Sequence, residues 1–316
     1  MAYTADVKSE LMQSPVLKDC CAGAELTALL LLSGSISLCG LGRYRLTFGS
    51  ENAAVVRYCF TQLKRAFALA PEIRAVRSNQ RGEHIRYQLQ LEGEEAAGLL
   101  DRLGLLDPKQ LLGIRMWPGR AILSRECCRK TYLRGAFLAC GWISQPEKAY
   151  HFEFAAPDEE QAKTLQELIA RWDVQARISA RKSQQIVYVK KSEDVETLLG
   201  VLGASSALLT FENVRIMKSL RNDLNRQMIC DDFNTDKTVR AAAQQLDDIA
   251  VIEKYLGLGK LPASLRQAAE ARIASPDATL SQLGELMDPP AAKSAVNKRI
   301  RRLGELAQKL RDEHGL

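Results

Sequence analysis

At 316 residues, with 46% hydrophobic and 26% charged residues, the chain has the make-up of a folded protein of two or three domains, which excludes a disordered or fibrous class. No apolar run approaches the roughly 18 residues that a bilayer requires, and the N-terminus lacks a basic-then-apolar leader, so a cytoplasmic protein is expected. The net charge of +6 permits a nucleic-acid partner without demanding one, so the distribution of that charge decides.

The first 14 residues predict a short amphipathic helix with Val7, Leu11 and Met12 at helical spacing, stopped by Pro15. Cys20-Cys21 then opens a stretch of small and apolar residues that ends at Gly34, and Cys127-Cys128 opens a second one that ends at Gly141. Both ends keep the same offset, so the element is duplicated. A helix of small residues present twice suggests two half-domains joined by close helix–helix contact.

After the first copy, 36–38 and 44–48 alternate around Gly40-Leu41-Gly42 and predict a β-hairpin. A helix opened by Ser50, Glu51 and Asn52 follows, with Val55, Val56, Cys59, Phe60, Leu63 and Phe67 as its apolar stripe and Pro71 at its end. Strands over 73–77 and 85–91, with a polar turn between them at 78–83, and a helix over 94–105 complete the first half. The second half repeats the order: strands at 142–143 and 150–154, a helix over 158–172, strands at 175–181 and 186–190, and a helix over 193–202. Repetition of one supersecondary unit predicts a duplicated, pseudo-symmetric α+β domain over residues 1–204, with halves of about 15–106 and 122–204.

A long helix is expected over 208–229, carrying Arg215, Lys218, Arg221 and Arg226 off its apolar stripe. The polar, turn-rich stretch 230–237 marks the end of a connecting segment, 205–237. The remainder, 238–316, reads as all helix: 239–255, a loop at 256–262, then 264–274, 280–287, a break at 288–292 and a final helix from Ser294. Thr279, or alternatively Ser281, can cap the helix carrying Leu280, Leu283 and Leu286. Gly284 is small enough for a second helix to cross closely.

On the final helix Val296, Ile300 and Leu303 share one face, while Lys293, Ser294, Asn297, Lys298, Arg301 and Arg302 fall mainly on the other. This is a helix-turn-helix pattern with a basic outward face. Arg and Asn can bond bidentately to base edges, while Lys, Ser and further Arg hold phosphates. Double-stranded DNA is therefore the expected partner. On the predicted strands, Arg43 with Arg45, Arg177 with Arg181, and Arg86 beside Gln88 and Gln90 each mark one sheet face. These arginines and Arg221 are secondary candidates for DNA or protein contact, or simply a solvated surface.

The eight cysteines form two adjacent pairs and four singles, without a CxxC or Cys/His zinc spacing. They read as small buried apolar groups in a reducing compartment. The sequence assigns no catalytic residue, no metal ligand and no cofactor.

Leu133-Arg134-Gly135-Ala136-Phe137-Leu138-Ala139-Cys140-Gly141 resembles the nine-residue signature of LAGLIDADG homing endonucleases, with Leu26 to Gly34 a weaker copy. The resemblance implies two signature helices at a pseudo-twofold axis beneath a saddle of two four-stranded sheets, with Ala28, Gly135 and Ala139 allowing close approach. In those nucleases an acid at the eighth signature position binds the divalent metal. Here Ser33 and Cys140 take those positions, and neither can replace a carboxylate for Mg²⁺. An active endonuclease or RNA maturase is therefore a disfavoured alternative, and a scaffold acting mainly through protein partners is a third reading. The degenerate signature domain followed by a helix-turn-helix is similar to the WhiA family of Gram-positive bacteria, as are the paired cysteines, Arg221-Asn222…Asn225-Arg226 and Asn234…Lys237. That resemblance implies a sequence-specific transcription regulator linked to cell division, chromosome segregation and sporulation. A nucleoid-associated protein on promoter DNA is expected, as a monomer, with RNA polymerase or another regulator as a protein partner.

Overall fold

The computed structural model of the chain describes residues 2–14, 16, 18–40, 43–78, 84–110 and 113–315. The chain divides into two compact units, Met1–Lys218 and Ser219–Leu316.

The first unit begins with α1 (Ala2–Gln13), followed by α2 (Asp19–Ser33), β1 (Ser35–Leu38), β2 (Tyr44–Ser50), α3 (Ala53–Phe67), β3 (Glu72–Ser78), β4 (His84–Glu92) and α4 (Gly93–Arg102). The second half repeats this order as α5 (Glu126–Cys140), β5 (Gly141–Ile143), β6 (Phe152–Ala156), α6 (Glu159–Ala170), β7 (Arg177–Arg181), β8 (Gln184–Val189) and α7 (Ser192–Leu202). Each half forms an antiparallel four-stranded sheet, and the strand orders β1-β2-β4-β3 and β5-β6-β8-β7 are equivalent. The duplication expected from the cysteine-led repeat is therefore a duplication of topology. The predicted turns at Leu41-Gly42 and 79–83 lie outside the described residues.

α2 is buried on every side from Cys21 to Leu32, as befits a helix that is apolar all round. Its neighbour α5 buries Tyr132 to Leu138. The two meet where Gly135 faces Glu25 and Ala28. A Cβ at Gly135 would lie 2.5 Å from the Glu25 carbonyl oxygen and 3.1 Å from the Ala28 Cβ. Absence of a side chain at one position thus sets the distance between the halves. Around this spine Phe137, Phe152 and Phe154 pack with ring centroids 5.1–6.4 Å apart.

Local signals end and start the remaining elements. Asn52 caps α3, its side-chain oxygen accepting from the Ala54 N–H, so the helix begins slightly later than Ser50. Ala68 in the left-handed region (φ 57°) ends it before Pro71 is reached. Asp158 caps α6 through the Gln161 N–H at 2.8 Å.

One expectation fails. Residues 230–237 are not a turn: α8 (Ser205–Tyr255) runs as one helix through them. The segment is rich in Asp, Asn and Thr but has neither Gly nor Pro. Each such residue costs only tenths of a kcal/mol in a helix nucleated on both sides. An Asp236–Arg240 pair at 2.7 Å also supports the helix one turn apart.

The second unit packs α8 residues Ile249 and Ile252 with α9 (Ala263–Ala274), α10 (Leu280–Glu285) and α11 (Lys293–His314). Val296, Ile300, Leu303, Ala307 and Leu310 form the buried stripe of α11.

Gly135→Ala tests the spine. The added methyl favours helix by about 1 kcal/mol, but a backbone oxygen stands in its way. The expected outcome is a net loss of roughly 1–3 kcal/mol in denaturant unfolding. Gly98→Ala, in α4 with open space around its Cβ position, should be neutral or mildly stabilising.

Candidate nucleic-acid interface

In the second unit the two helices of the expected motif are held by a capping box. The Thr279 Oγ accepts from the Gln282 N–H at 3.3 Å, and Gln282 Oε1 accepts from the Thr279 N–H at 2.8 Å. Thr279, rather than Ser281, is the cap. Gly284 admits both the turn and the second helix: a Cβ there would lie 2.0 Å from the Ala291 carbonyl oxygen and 3.3 Å from Val296 Cγ2 on α11. The Ala291 N–H donates to the Gly284 carbonyl at 2.9 Å, so the turn folds back onto α10. This presents α11 with its stripe inward and Lys293, Ser294, Asn297, Lys298, Arg301 and Arg302 all exposed. Arg301 lends its Nε to Glu305 at 3.2 Å in an exposed pair. Arg299 points elsewhere, half-buried against the Met287 sulfur at 3.3 Å.

A buried arginine and a half-buried one that the sequence reading passed over position this surface. Arg272 is only 2% exposed and donates to Gln245 Oε1 (2.9 Å) and to the carbonyls of Pro276 (3.2 Å) and Ala278 (2.6 Å). It fixes the loop leading into α10. Arg311 bonds Asp247 (2.5 Å) and Asp248 (2.7 Å), tying the end of α11 to α8.

The arginines expected on the sheets of the first unit are mostly engaged. Arg45 pairs with its cross-strand neighbour Glu92 at 2.6 Å. Arg86 donates to the Ser33 carbonyl at 2.6 Å and lies over Gly49. Arg181 forms a two-pronged contact with Glu153 (2.9 and 3.1 Å). Burial opposes the ionised form of Glu153, but Arg181 and His151 outweigh it and hold the carboxyl below its usual range. His151 stacks on Tyr188 (5.7 Å) and meets Trp142 edge-on (5.6 Å), a cluster absent from the sequence reading. Arg43 and Arg177 are exposed. Arg215 bonds Glu196 at 2.6 Å, and Lys218 donates to the Pro146 carbonyl at 2.6 Å, so both serve the first unit's own packing. Arg221 and Arg226 are exposed on α8 in the second unit.

The ends of the signature helices lack a carboxylate at the eighth position. Ser33 Oγ bonds back to the Leu29 carbonyl (2.9 Å), and Cys140 Sγ to that of Ala136 (3.3 Å). Burial pushes the Cys140 thiol up to about 12 despite Lys8 nearby. Lys8 Nζ donates to the Leu138 carbonyl at 3.1 Å, just as Arg86 does to Ser33. A basic side chain thus stands at the C-terminal end of each signature helix, where its charge complements the helix dipole. The nearest acid in either signature stretch, Glu25, is fully buried and pairs with Arg134 at 3.2 Å and the Tyr58 hydroxyl at 2.8 Å.

The cysteine reading is corrected. Cys21 and Cys128 are buried, but Cys20 is exposed and Cys127 half-buried, so packing alone does not account for all four. Their sulfurs gather within 4.8 Å of one another. Among the described residues no helix is long and apolar enough to cross a membrane.

A duplicated LAGLIDADG-like scaffold without the signature acids, followed by a helix-turn-helix domain, defines the class to which the chain belongs. Family models agree segment by segment: the WhiA N-terminal LAGLIDADG-like domain over 19–106, the WhiA LAGLIDADG-like domain over 129–221 and the WhiA C-terminal HTH domain over 224–307. The chain belongs to the WhiA family. It is 38% identical over 317 residues to the "Probable cell division protein WhiA" of Heliobacterium modesticaldum, covering 100% of this chain and 99% of that one. The same-named protein of Desulforamulus reducens is 39% identical, covering 98% and 97%. The crystal structure of full-length DUF199/WhiA from Thermatoga maritima shares the fold at a TM-score of 0.58 and 20% identity, covering 96% of each chain.

Glu25 provides a pH prediction for the first unit. Burial raises its carboxyl from 4.5 to about 7, with Arg134, Tyr58 and Arg65 pulling the other way. Between those values the unfolded chain has ionised while the folded one retains the proton, so this group's contribution to stability is lost as pH rises from about 4.5 to about 7. Unfolding midpoints of Glu25→Gln and the parent, measured across that window, should show this slope in the parent alone. Parallel curves would remove Glu25 as its source.

Proposed function

We propose that the chain is a sequence-specific DNA-binding transcription regulator, linked to cell division and chromosome segregation and, where it occurs, to sporulation. In this reading it is a cytoplasmic, nucleoid-associated monomer on promoter DNA, with RNA polymerase or another regulator as partner. The observation that carries the reading is the one-sided α11: six exposed polar or basic residues over a buried apolar stripe, directly after a capped helix and tight turn. Asn297 and Arg301 have the chemistry to read base edges in the major groove, and Lys293, Ser294, Lys298 and Arg302 that to hold phosphates. Releasing Arg301 from Glu305 costs little, because exposed ion pairs are worth about 0–1 kcal/mol. The cell-division name of the relatives supports the cellular setting.

Arg301→Ala and Asn297→Ala should each weaken binding to the cognate promoter by about 1–3 kcal/mol and relax the preference at one position. Lys298→Ala should instead weaken all sequences alike and lower the salt slope by about one. Unchanged affinity in all three variants, measured by titration of labelled promoter DNA, would exclude this face.

No nuclease activity is expected of the signature helices. Metal-assisted phosphodiester cleavage needs oxygen ligands on the ion and an activated water, and Ser33 and Cys140 offer a hydroxyl and a largely protonated thiol. Supercoiled plasmid carrying bound promoter should stay intact with Mg²⁺ or Mn²⁺. Cleavage that disappears in Cys140→Ala would overturn this.

A second reading, contact with a protein partner, is favoured by one observation. The α8 residues Leu220, Leu224, Met228, Ile229 and Phe233 are each more than half exposed. Likewise, the arginines tied to Glu92, Ser33 and Glu153 leave the sheet surface less free charge for phosphates. Unbiased crosslinking of full-length protein in cells would separate a DNA-only regulator from one that also docks a protein here.

A further inference from the structure

We infer that Cys20, Cys21, Cys127 and Cys128 hold one zinc ion as a closed tetrathiolate site that clips the two signature helices together at their N-termini. The sequence shows no zinc spacing because the ligands come as two adjacent pairs, far apart along the chain, that the duplicated fold brings to one point.

The geometry suits a single ion. The sulfurs of Cys20 and Cys21 are 4.0 Å apart, as are those of Cys127 and Cys128, and all four lie within 4.8 Å of one another. Zinc–sulfur bonds of about 2.3 Å in a tetrahedron place the sulfurs about 3.8 Å apart. A disulfide would need about 2.05 Å, and an iron–sulfur cluster, with its irons inside the sulfur cage, would spread the ligands wider. Two of the four cysteines reach solvent, which hydrophobic packing does not require and metal entry does. An open cavity of about 600 Å³ lined by Cys20, Cys128 and Arg125 supplies the path.

The electrostatics point the same way. Neither α2 nor α5 has a side-chain cap at its N-terminus, so no capping oxygen competes there with a tetrathiolate for the positive end of either helix. Two helix N-termini and the Arg125 guanidinium, 3.9 Å from Cys20 Sγ, offset the negative charge of a tetrathiolate. On binding, each thiol gives its proton to solvent as its sulfur bonds the ion, so affinity falls in acid. At about 1.5 Å per residue the site lies roughly 20 Å along the helices from Ser33 and Cys140, so it is separate from the nuclease metal position and structural in character.

The test uses full-length protein expressed with zinc and purified without chelator. Elemental analysis should find about one zinc per chain, as a single closed tetrahedral site requires. Cobalt substitution of the wild-type chain should give the intense visible bands and thiolate charge transfer of a tetrahedral sulfur site. Cys21→Ser/Cys128→Ser should lose both, with circular dichroism checking its fold. Cys39→Ser/Cys230→Ser, at two exposed cysteines outside the cluster, should keep both. Zinc content indifferent to the Cys21/Cys128 change, iron in place of zinc, or a wild-type chain that takes no cobalt while its four thiols stay titratable or form disulfides would overturn the assignment.

Discussion

The approach of α5 to α2 at Gly135 is the contact on which the first unit depends. With a Cβ position 2.5 Å from a backbone oxygen, no other residue fits without moving a helix. Close backbones leave no room for large side chains between the helices, so apolar volume goes to their flanks, where Phe137 meets Phe152 and Phe154 and the leucines of α2 meet the first sheet. The same closeness brings Glu25 and Arg134 together in the interior. Once Glu25 ionises, above about pH 7, such an ion pair repays its desolvation only with further hydrogen bonds. Tyr58 supplies one to Glu25, and the carbonyls of Leu11 and Ser14 accept from Arg134. The pair therefore also fixes the end of α1, which carries Lys8 to the far end of α5.

The two ends of the signature helices then have different characters. At the C-terminal ends, the carbonyls of Leu138 and Ser33 are met by Lys8 and Arg86. These cations complement the helix dipoles. At the N-terminal ends four sulfurs converge. The duplication explains the second: pairing of the two repeated helices brings the equivalent Cys positions together, whereas Lys8 and Arg86 come from the non-equivalent elements α1 and β4.

Legibility differed by the range of the interaction involved. Periodicity revealed those strands and helices of the first unit that bury one face, because that face recurs along the sequence, whereas α2, apolar all round, and α5 were legible through their duplication. The stretch 230–237 misled because turn-forming residues signal a loop only when something breaks the helix, and no Gly or Pro does so there. The Cys pairs looked inert for a related reason: ligand spacing is a local pattern, whereas Cys20 and Cys127 meet only through the packing at Gly135. Arg45, Arg86 and Arg181 read as a charged face by period-two spacing, but spacing carries no information about the acceptors at Glu92, Ser33 and Glu153. Arg272 gave no signal at all. A buried arginine in a helix has the same one-letter context as an exposed one, and its role exists only because the carbonyls of Pro276 and Ala278 turn toward it.

The second unit shows how a helix can keep most of a basic face free, Arg301 alone of its six exposed residues being paired with an acid among the described residues. An arginine beside an acid on the same helix is partly neutralised, and on α11 the acids begin at Glu305, after the basic stretch has ended. The acidic partners that stabilise the motif lie at its other end, where Asp247 and Asp248 of α8 hold Arg311. Stability is therefore provided at the C-terminal turns of α11 and by the buried Arg272, away from Lys293, Asn297 and Lys298. That separation lets the exposed face be basic without the unit depending on it for folding. In the first unit Arg45 and Arg181 are spent on the sheet's own order and Arg86 on the end of α2, which is why α11 has the stronger physical claim to nucleic acid.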